Sequence, residues 1–369
     1  MKIQIESATK TANIIIDFFS NIDRIDDYFR LRKIERVKNL PAPIPGFGLE
    51  DDMFQNYDMH PEDMDIEVAQ IDNQTFNAML EKVASFSPDQ APGKELKLVV
   101  KEKNTNTILG FIKLGSPIIN SKPRNNYLGD VPELTIFNQR AIMGFVIVPV
   151  QPFGFNYLGG KLMALICTSH KVREMLNDKY DTKFCLFETT SLYGNIKGMS
   201  MYDGLKPFLR FKGDTESKFV PTLGEESYSL CKKIIEDDVK EDLIHKDASS
   251  RKLKITTKMI SLIKSSLKES DINLYEKFVS AITKAEGVTT QKRFYMSDYG
   301  YENVRDVLLG KTDTLIKGPN YHKHDLENII SWWKRKATSR YDKLKSEDRI
   351  RKELEVWNAD TMNKIDIIR

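Results

Sequence analysis

From residue 1 to about residue 38, apolar side chains recur at the mixed three and four spacing of a helix with one buried face: Ile14, Ile15, Phe18, Ile22, Ile25, Tyr28 and Phe29. Between Asn39 and Asp63, Pro, Gly and acidic residues abolish that period, which predicts a linker or long surface loop. Phe76, Met79, Leu80 and Val83 restore a helical stripe, with Asn73 as its cap. From Lys94 the texture becomes that of strands. KELKLVVKEKNTNTILGFIKLGSP predicts two of them, joined by a turn at Lys103–Thr107 where Asn and Thr supply the turn chemistry. AIMGFVIVPV is apolar throughout, as a strand covered on both faces must be. Leu158, Leu162, Leu165 and Ile166 then follow a helical period, and TKFCLFETT reads as a further buried strand. Strand, helix, strand is a βαβ unit. After Gly224 the strand signals fade into amphipathic helical runs, the last of them LENIISWWKRKATSRYDKLKSEDRIRKELEVW. The expected organisation is a helical segment at 1–38, a linker at 39–63, an α/β core at 64–223 and a helical, basic region at 224–369.

Composition agrees with a soluble globular chain: 40% of the 369 residues are apolar and 30% charged. No apolar run approaches the roughly 20 residues that span a bilayer, so no membrane partner is expected. The first residues lack a small-residue cleavage site, so a signal peptide is not expected either and the cytoplasm is the predicted location. Cys167, Cys185 and Cys231 are widely spaced among apolar residues, which suits buried thiols in a reducing compartment rather than disulfides or metal ligands. Histidines give little. His60 lies in the acidic linker, His170 ends a helix, His245 sits among charges, and His322 and His324 read as an exposed pair too closely spaced to share one helix face. No metal site is expected.

Nucleophile elbows, Walker loops, kinase loops and Cys-x-x-Cys pairs are missing, which takes most of the weight from the common hydrolase and nucleotide-triphosphatase readings. The βαβ loop remains. If its helix begins near Asn156, the amides of Leu158, Gly159 and Gly160 face outward at a helix amino terminus, where an anion is favoured; close helix–sheet packing explains the same glycines equally well. Glu188 follows the apolar FCLF at a strand's carboxyl end. Apolar surroundings would raise its pKa toward general acid–base use, and the bland reading is a structural carboxylate bound to backbone amides or to Arg124. Tyr193 and Tyr202 are candidate proton donors or stacking rings, with aromatic core roles as the alternative. Asp203 and Asp214 rank lower. Arg124 and Asn126 lie in what reads as a polar loop, and Ser116 as a turn residue.

Charge is placed unevenly although the net is only +3. Residues 246–268 hold seven Lys or Arg against one acid, and 331–352 hold nine against three. Helical phase puts Lys336, Arg340 and Lys343 on one face, with Lys334 beside them and Trp332 and Trp333 at its edge. Such a face suits salt-sensitive contacts to nucleic-acid phosphates, most simply DNA, and it also suits plain solvation. The two tryptophans are expected to anchor the helix on the core, and the rings of Tyr299 and Tyr301, flanking Gly300, to pack on the helical region.

Six blocks occur in order: Gly110-Phe-Ile-Lys-Leu-Gly115-Ser116, Arg124-Asn-Asn-Tyr-Leu-Gly129, Gln139-Arg140-Ala-Ile-Met-Gly-Phe145-Val-Ile-Val-Pro149, Asn156-Tyr-Leu-Gly-Gly-Lys161, Phe187-Glu188-Thr189-Thr190 and Gly213-Asp214-Thr215. From about Leu98 to Thr222 the chain thereby resembles the DruA-like family of the Druantia anti-phage system and of phage and mobile-element proteins. Where that family pairs its arginine with an acid, this chain has Asn125. The block order also resembles the acetyltransferase-like (GNAT) fold, shared by the phage Mom proteins that modify adenine in DNA. The resemblance implies an acetyltransferase-like mixed sheet with helical extensions, and group transfer to a nucleobase. Asn156, Leu158, Gly159, Gly160 and Lys161 would hold a coenzyme A ester or another phosphate-bearing donor, and Glu188 or Tyr202 would manage the proton. Asn156 and Lys161 depart from the usual loop pattern. That departure favours a DNA-binding protein without the chemistry; a phage structural or assembly protein, with protein partners on the helical extensions, is the third expectation.

Overall fold

The computed structural model describes residues 2–38, 50–86, 93–191, 198–215, 222–244, 251–288 and 292–367. They fall into two units. One comprises Met1–Asn39, Ser217–Thr290 and Asp366–Arg369, the other Leu40–Glu216 and Gln291–Ile365.

The first unit is helical. Helix α1 (Ile5–Ser20) buries Ala8, Thr11, Ala12, Ile15 and Phe19, a stripe at the period read from the sequence. Helix α2 (Ile25–Lys38) is tied by Arg32, which donates to Tyr28 at 3.0 Å and to Thr222 Oγ1 at 2.7 Å. Three later helices, α9 (Glu225–Val239), α10 (Arg251–Ser270) and α11 (Ile272–Gly287), pack on α1. The helical runs expected at either end of the α/β core therefore share one core.

The second unit is a mixed α/β body around a seven-stranded sheet. Its strands are β1 (Ile66–Gln70), β2 (Glu95–Glu102), β3 (Thr107–Gly115), β4 (Ala141–Pro149), β5 (Leu186–Ser191), β6 (Arg210–Asp214) and β7 (Arg293–Ser297), in the order β1-β2-β3-β4-β5-β7-β6. The β4–β5 pair is parallel and the others are antiparallel. Glu102 organises the β2–β3 turn, accepting from the amides of Asp65 at 3.0 Å and Thr105 at 2.7 Å. Strand β7 corrects the expectation that strand signal ends at Gly224. The stretch RFYMS is apolar and aromatic enough for a strand, but its five residues are too few to show a period against long helical neighbours.

Pairing between β4 and β5 runs from Ala141↔Leu186 to Gly144↔Thr189, after which, among the described residues, β4 pairs with β3 and β5 with β7. Helices α6 (Phe153–Tyr157), α7 (Gly159–Cys167) and α8 (His170–Tyr180) make the crossover between these parallel strands. A strand alternates its side chains between faces. Phe187 and Thr189 thus point to the crossover side, while Glu188 points to the opposite side, where α4 (Lys122–Leu128) and α5 (Leu134–Arg140) bring Arg124 and Phe137. The polar loop expected at Arg124 is helix α4, for which Pro123 is well placed in the first turn. Helices α3 (Asn73–Val83), capped by Asp72 rather than Asn73, and α12 (Val304–Leu308) complete the layers.

Helix α13 (Leu326–Ser346) packs on α6 and α7 through Ile329, Trp333, Ala337, Tyr341 and Leu344. Part of the stretch expected as a linker belongs to the same core. Met53, Phe54 and Tyr57 are buried, Phe54 meets Phe153 at 5.6 Å between ring centroids, and Tyr341 donates to the Tyr57 carbonyl at 3.0 Å. Its Pro and Gly content hid these rings from a periodicity reading; residues 39–49 lie outside the described residues.

Candidate functional site

The loop between α6 and α7 turns at Leu158, which adopts a left-handed φ of 56°. Gly159 follows as the first residue of α7, and a Cβ there would meet the Phe153 ring at 2.6 Å. Glycine is required by that approach. At Gly160 a Cβ would come within 3.0 Å of the Met201 sulfur. Asn156 is fully buried inside α6, and both ends of its amide grip the main chain of Arg351: Nδ2 donates to the carbonyl at 2.8 Å, and Oδ1 accepts from the amide at 3.1 Å. Lys161 donates to the Asp203 carbonyl at 2.7 Å. Burial holds the Lys161 amine below its ordinary pKa, and the charge of Lys336 on α13 adds to that effect. The loop at 156–161 and the cationic helix, read separately in the sequence, are thus neighbours.

Glu188 and Tyr202 are not brought together. Glu188 is 1% exposed and bonds Arg124, Nη1 to Oε2 at 3.2 Å. Burial pushes its carboxyl up to about 7, against the pull of Arg124. Arg124 also donates to the carbonyls of Ile118 and Ile119 and lies 4.0 Å from the Phe137 ring centroid. The bland reading of Glu188 anticipated this partner. Tyr202 lies on the crossover side, edge-on to Tyr295, with its hydroxyl bonded to Thr189 and its pKa raised by burial. Asp203 is the polar hub of that side, accepting from Tyr295 at 2.8 Å, Arg293 at 2.9 Å and the Ser200 amide at 2.9 Å. Tyr193 lies outside the described residues. Asp214 is exposed at the end of β6, and Ser116 accepts from the Lys94 amide at 2.9 Å, a turn role. All three cysteines are free and buried.

Two histidines differ from expectation. His324 is fully buried in a short 3-10 turn, where its Nδ1 donates to the Thr168 carbonyl at 2.7 Å, so it is no exposed pair with His322. His170 opens α8 instead of ending a helix. Its Nδ1 accepts from Arg173 at 3.2 Å, which leaves Nε2 to donate to the Tyr321 carbonyl at 2.9 Å. Burial, the Arg173 charge and His324 lower its pKa to about 4, with Asp325 opposing them. A lowered folded value means that the unfolded chain binds the extra proton. The contribution is full above the free value near 6.5 and is lost as pH falls toward 4. In His170→Asn the loss of stability between pH 7 and 5 is expected to shrink by about 1–2 kcal/mol, read by urea melts at both pH values. An unchanged loss would show that His170 does not titrate in this window.

On α13 the side opposite the buried stripe is cationic. Arg335, Lys336, Lys343 and Lys345 are exposed, Lys334 donates to the Glu62 carbonyl at 2.8 Å, and Lys343 has Glu347 at 3.9 Å. Arg340 is half-buried, with its guanidinium 4.7 Å from the Phe155 ring centroid. Trp333 anchors the helix as expected, donating to the Tyr157 carbonyl at 2.9 Å, and Trp332 packs edge-on against Phe208. Tyr299 and Tyr301 are likewise buried. In the other unit, Lys254, Lys258 and Lys268 are exposed on α10, while residues 245–250, His245 among them, lie outside the described residues. No helix among the described residues is long and apolar enough to cross a membrane.

No curated protein and no solved structure matches the chain. Residues 47–200, the segment that carries the sheet's first strands, Arg124, the 156–161 loop and Glu188, match the family described as Druantia protein DruA.

Proposed function

We propose that this DruA-like chain serves anti-phage defence by binding nucleic acid, DNA in the first instance, along the outer face of α13. One observation carries the reading. A 21-residue helix, fixed to the sheet unit by a buried stripe that includes Trp333 and Tyr341, turns Arg335, Lys336, Lys343 and Lys345 to solvent. Phosphate contacts from such a face are independent of sequence and weaken with salt, because each neutralised phosphate releases counterions. Anisotropy with a labelled duplex of about 20 base pairs should show log K falling linearly with log salt. The double substitution Lys336→Glu with Lys343→Glu should weaken binding at least tenfold, equally across unrelated sequences. Affinity that is unchanged by the charge reversal removes α13 from the interface.

Group transfer is the second reading, and the Glu188 carboxyl near 7 favours it. The parallel β4–β5 pair with its helical crossover supports an acetyltransferase-like core. The residues meant for a donor fit it less well. Asn156 is engaged by Arg351, the Cβ side of Gly159 is filled by Phe153, and Lys161 is bound to Asp203. A thermal shift with a coenzyme A ester would restore this reading to first place.

A further inference from the structure

Beside α13, two arginines converge on one ring. Phe155 has the Arg340 guanidinium carbon 4.7 Å from its centroid and that of Arg351 3.8 Å from it. Partial burial and the charges of Arg349 and Arg351 hold Arg340 below its ordinary pKa, with Glu347 opposing them. Like charges are kept at this spacing by construction. The Asn156 amide holds both polar groups of the Arg351 main chain, and the Glu355 amide donates to the Gln151 carbonyl at 3.0 Å. Downstream, the Trp357 amide donates to the Lys82 carbonyl at 2.8 Å, and Val356 is buried in the core.

Carboxylates answer only part of this charge. Glu347 bonds Arg349 at 2.7 Å, and Glu355 lies 3.5 Å from Arg351. Arg340 has no carboxylate within ion-pair distance among the described residues. Its Nε donates to the Phe155 carbonyl at 3.4 Å, and neither terminal nitrogen has an acceptor among the described residues. A guanidinium offers its N–H groups in a planar fork matched to two oxygens of a tetrahedral oxyanion.

We propose that Arg340 and Arg351, which share the Phe155 ring, form a clamp for a single phosphate oxyanion. Asn156 is the positioning residue, acting through the main chain of Arg351. The source of the phosphate rests on the nucleic-acid reading above; the clamp itself does not. A backbone phosphodiester of bound DNA and a free phosphate present the same oxygens, and two arms of one experiment separate them.

In the first arm, melting of the full chain is followed in sodium phosphate and in sodium chloride at matched ionic strength. Phosphate should raise the melting temperature of the wild type by several degrees more than it raises Arg340→Gln or Arg351→Gln. Equal rises in all three overturn the clamp. Arg340→Lys keeps the charge without the fork and should fall between, and melting in chloride alone shows whether each variant is folded. In the second arm, duplex affinity is measured across salt. If DNA supplies the phosphate, Arg340→Gln should bind about tenfold more weakly, with a salt slope shallower by about one contact. A lost phosphate effect with unaltered DNA binding would keep the clamp and assign it to a free phosphate.

Discussion

Replacing Arg124 by alanine is expected to destabilise the sheet unit by about 3–5 kcal/mol, from the cavity it leaves and from two carbonyls that lose their donor. Arg124 is fully buried and Glu188 is 1% exposed. Removal of the guanidinium lets burial drive the Glu188 carboxyl further toward its protonated form and leaves the carbonyls of Ile118 and Ile119 without the donor that holds them. Glu188→Gln should cost far less. Its amide oxygen still accepts from Arg124, and a carboxyl near 7 is already protonated in about half the molecules at neutral pH. The two variants separate further in their pH dependence. The folded pKa of Glu188 lies above its ordinary 4.5, so the native state holds the proton longer. Its contribution is full below about 4.5 and is lost as pH rises toward 7. Between pH 5 and 7 that loss is roughly 2 kcal/mol, opposite in sign to the effect of His170. Denaturant melts of Glu188→Gln should show stability climbing with pH more steeply than in the wild type. A wild-type slope retained in the variant would mean that Glu188 is ionised throughout, held by Arg124.

The pairing of Arg124 with Glu188 was legible only as one of two options, since a carboxylate in an apolar setting must find a partner, whether backbone amides or an arginine. What the sequence hid was the side of the sheet. Glu188 and Tyr202 sit close in number, but Glu188 faces α4 while the next residue, Thr189, faces Tyr202. A period of two separates them, and only the strand register reveals it. The α6–α7 loop was hidden for another reason. Glycines that admit a ligand and glycines that admit a ring look alike in one dimension, and the Phe153 that fills the space lies just upstream. Asn156 could not be assigned at all from sequence, because its partner, the main chain of Arg351, lies 195 residues away. The cationic helix was the most legible feature. Its stripe at Ile329, Trp333, Ala337, Tyr341 and Leu344 fixes which way the lysines face.

That stripe makes Trp333→Ala the sharpest test of how α13 is held. Trp333 is fully buried, lies 6.2 Å from the Phe153 ring and donates its indole N–H to the Tyr157 carbonyl. Truncation removes the ring, opens a cavity and leaves that carbonyl without its donor, a combined cost of about 3–5 kcal/mol. Trp332→Ala, at a half-buried position against Phe208, should cost about half as much or less. Function should follow stability unequally. The exposed lysines are untouched by Trp333→Ala, so any fall in DNA affinity under conditions where the protein stays folded reports loss of alignment between α13 and the arginines around Phe155. Trp333→Phe refills most of the cavity without the N–H donor and should recover most of that affinity. Equal affinities for wild type, Trp333→Ala and Trp333→Phe would show that phosphate contacts need only the charges, without the rigid seat that the core gives the helix.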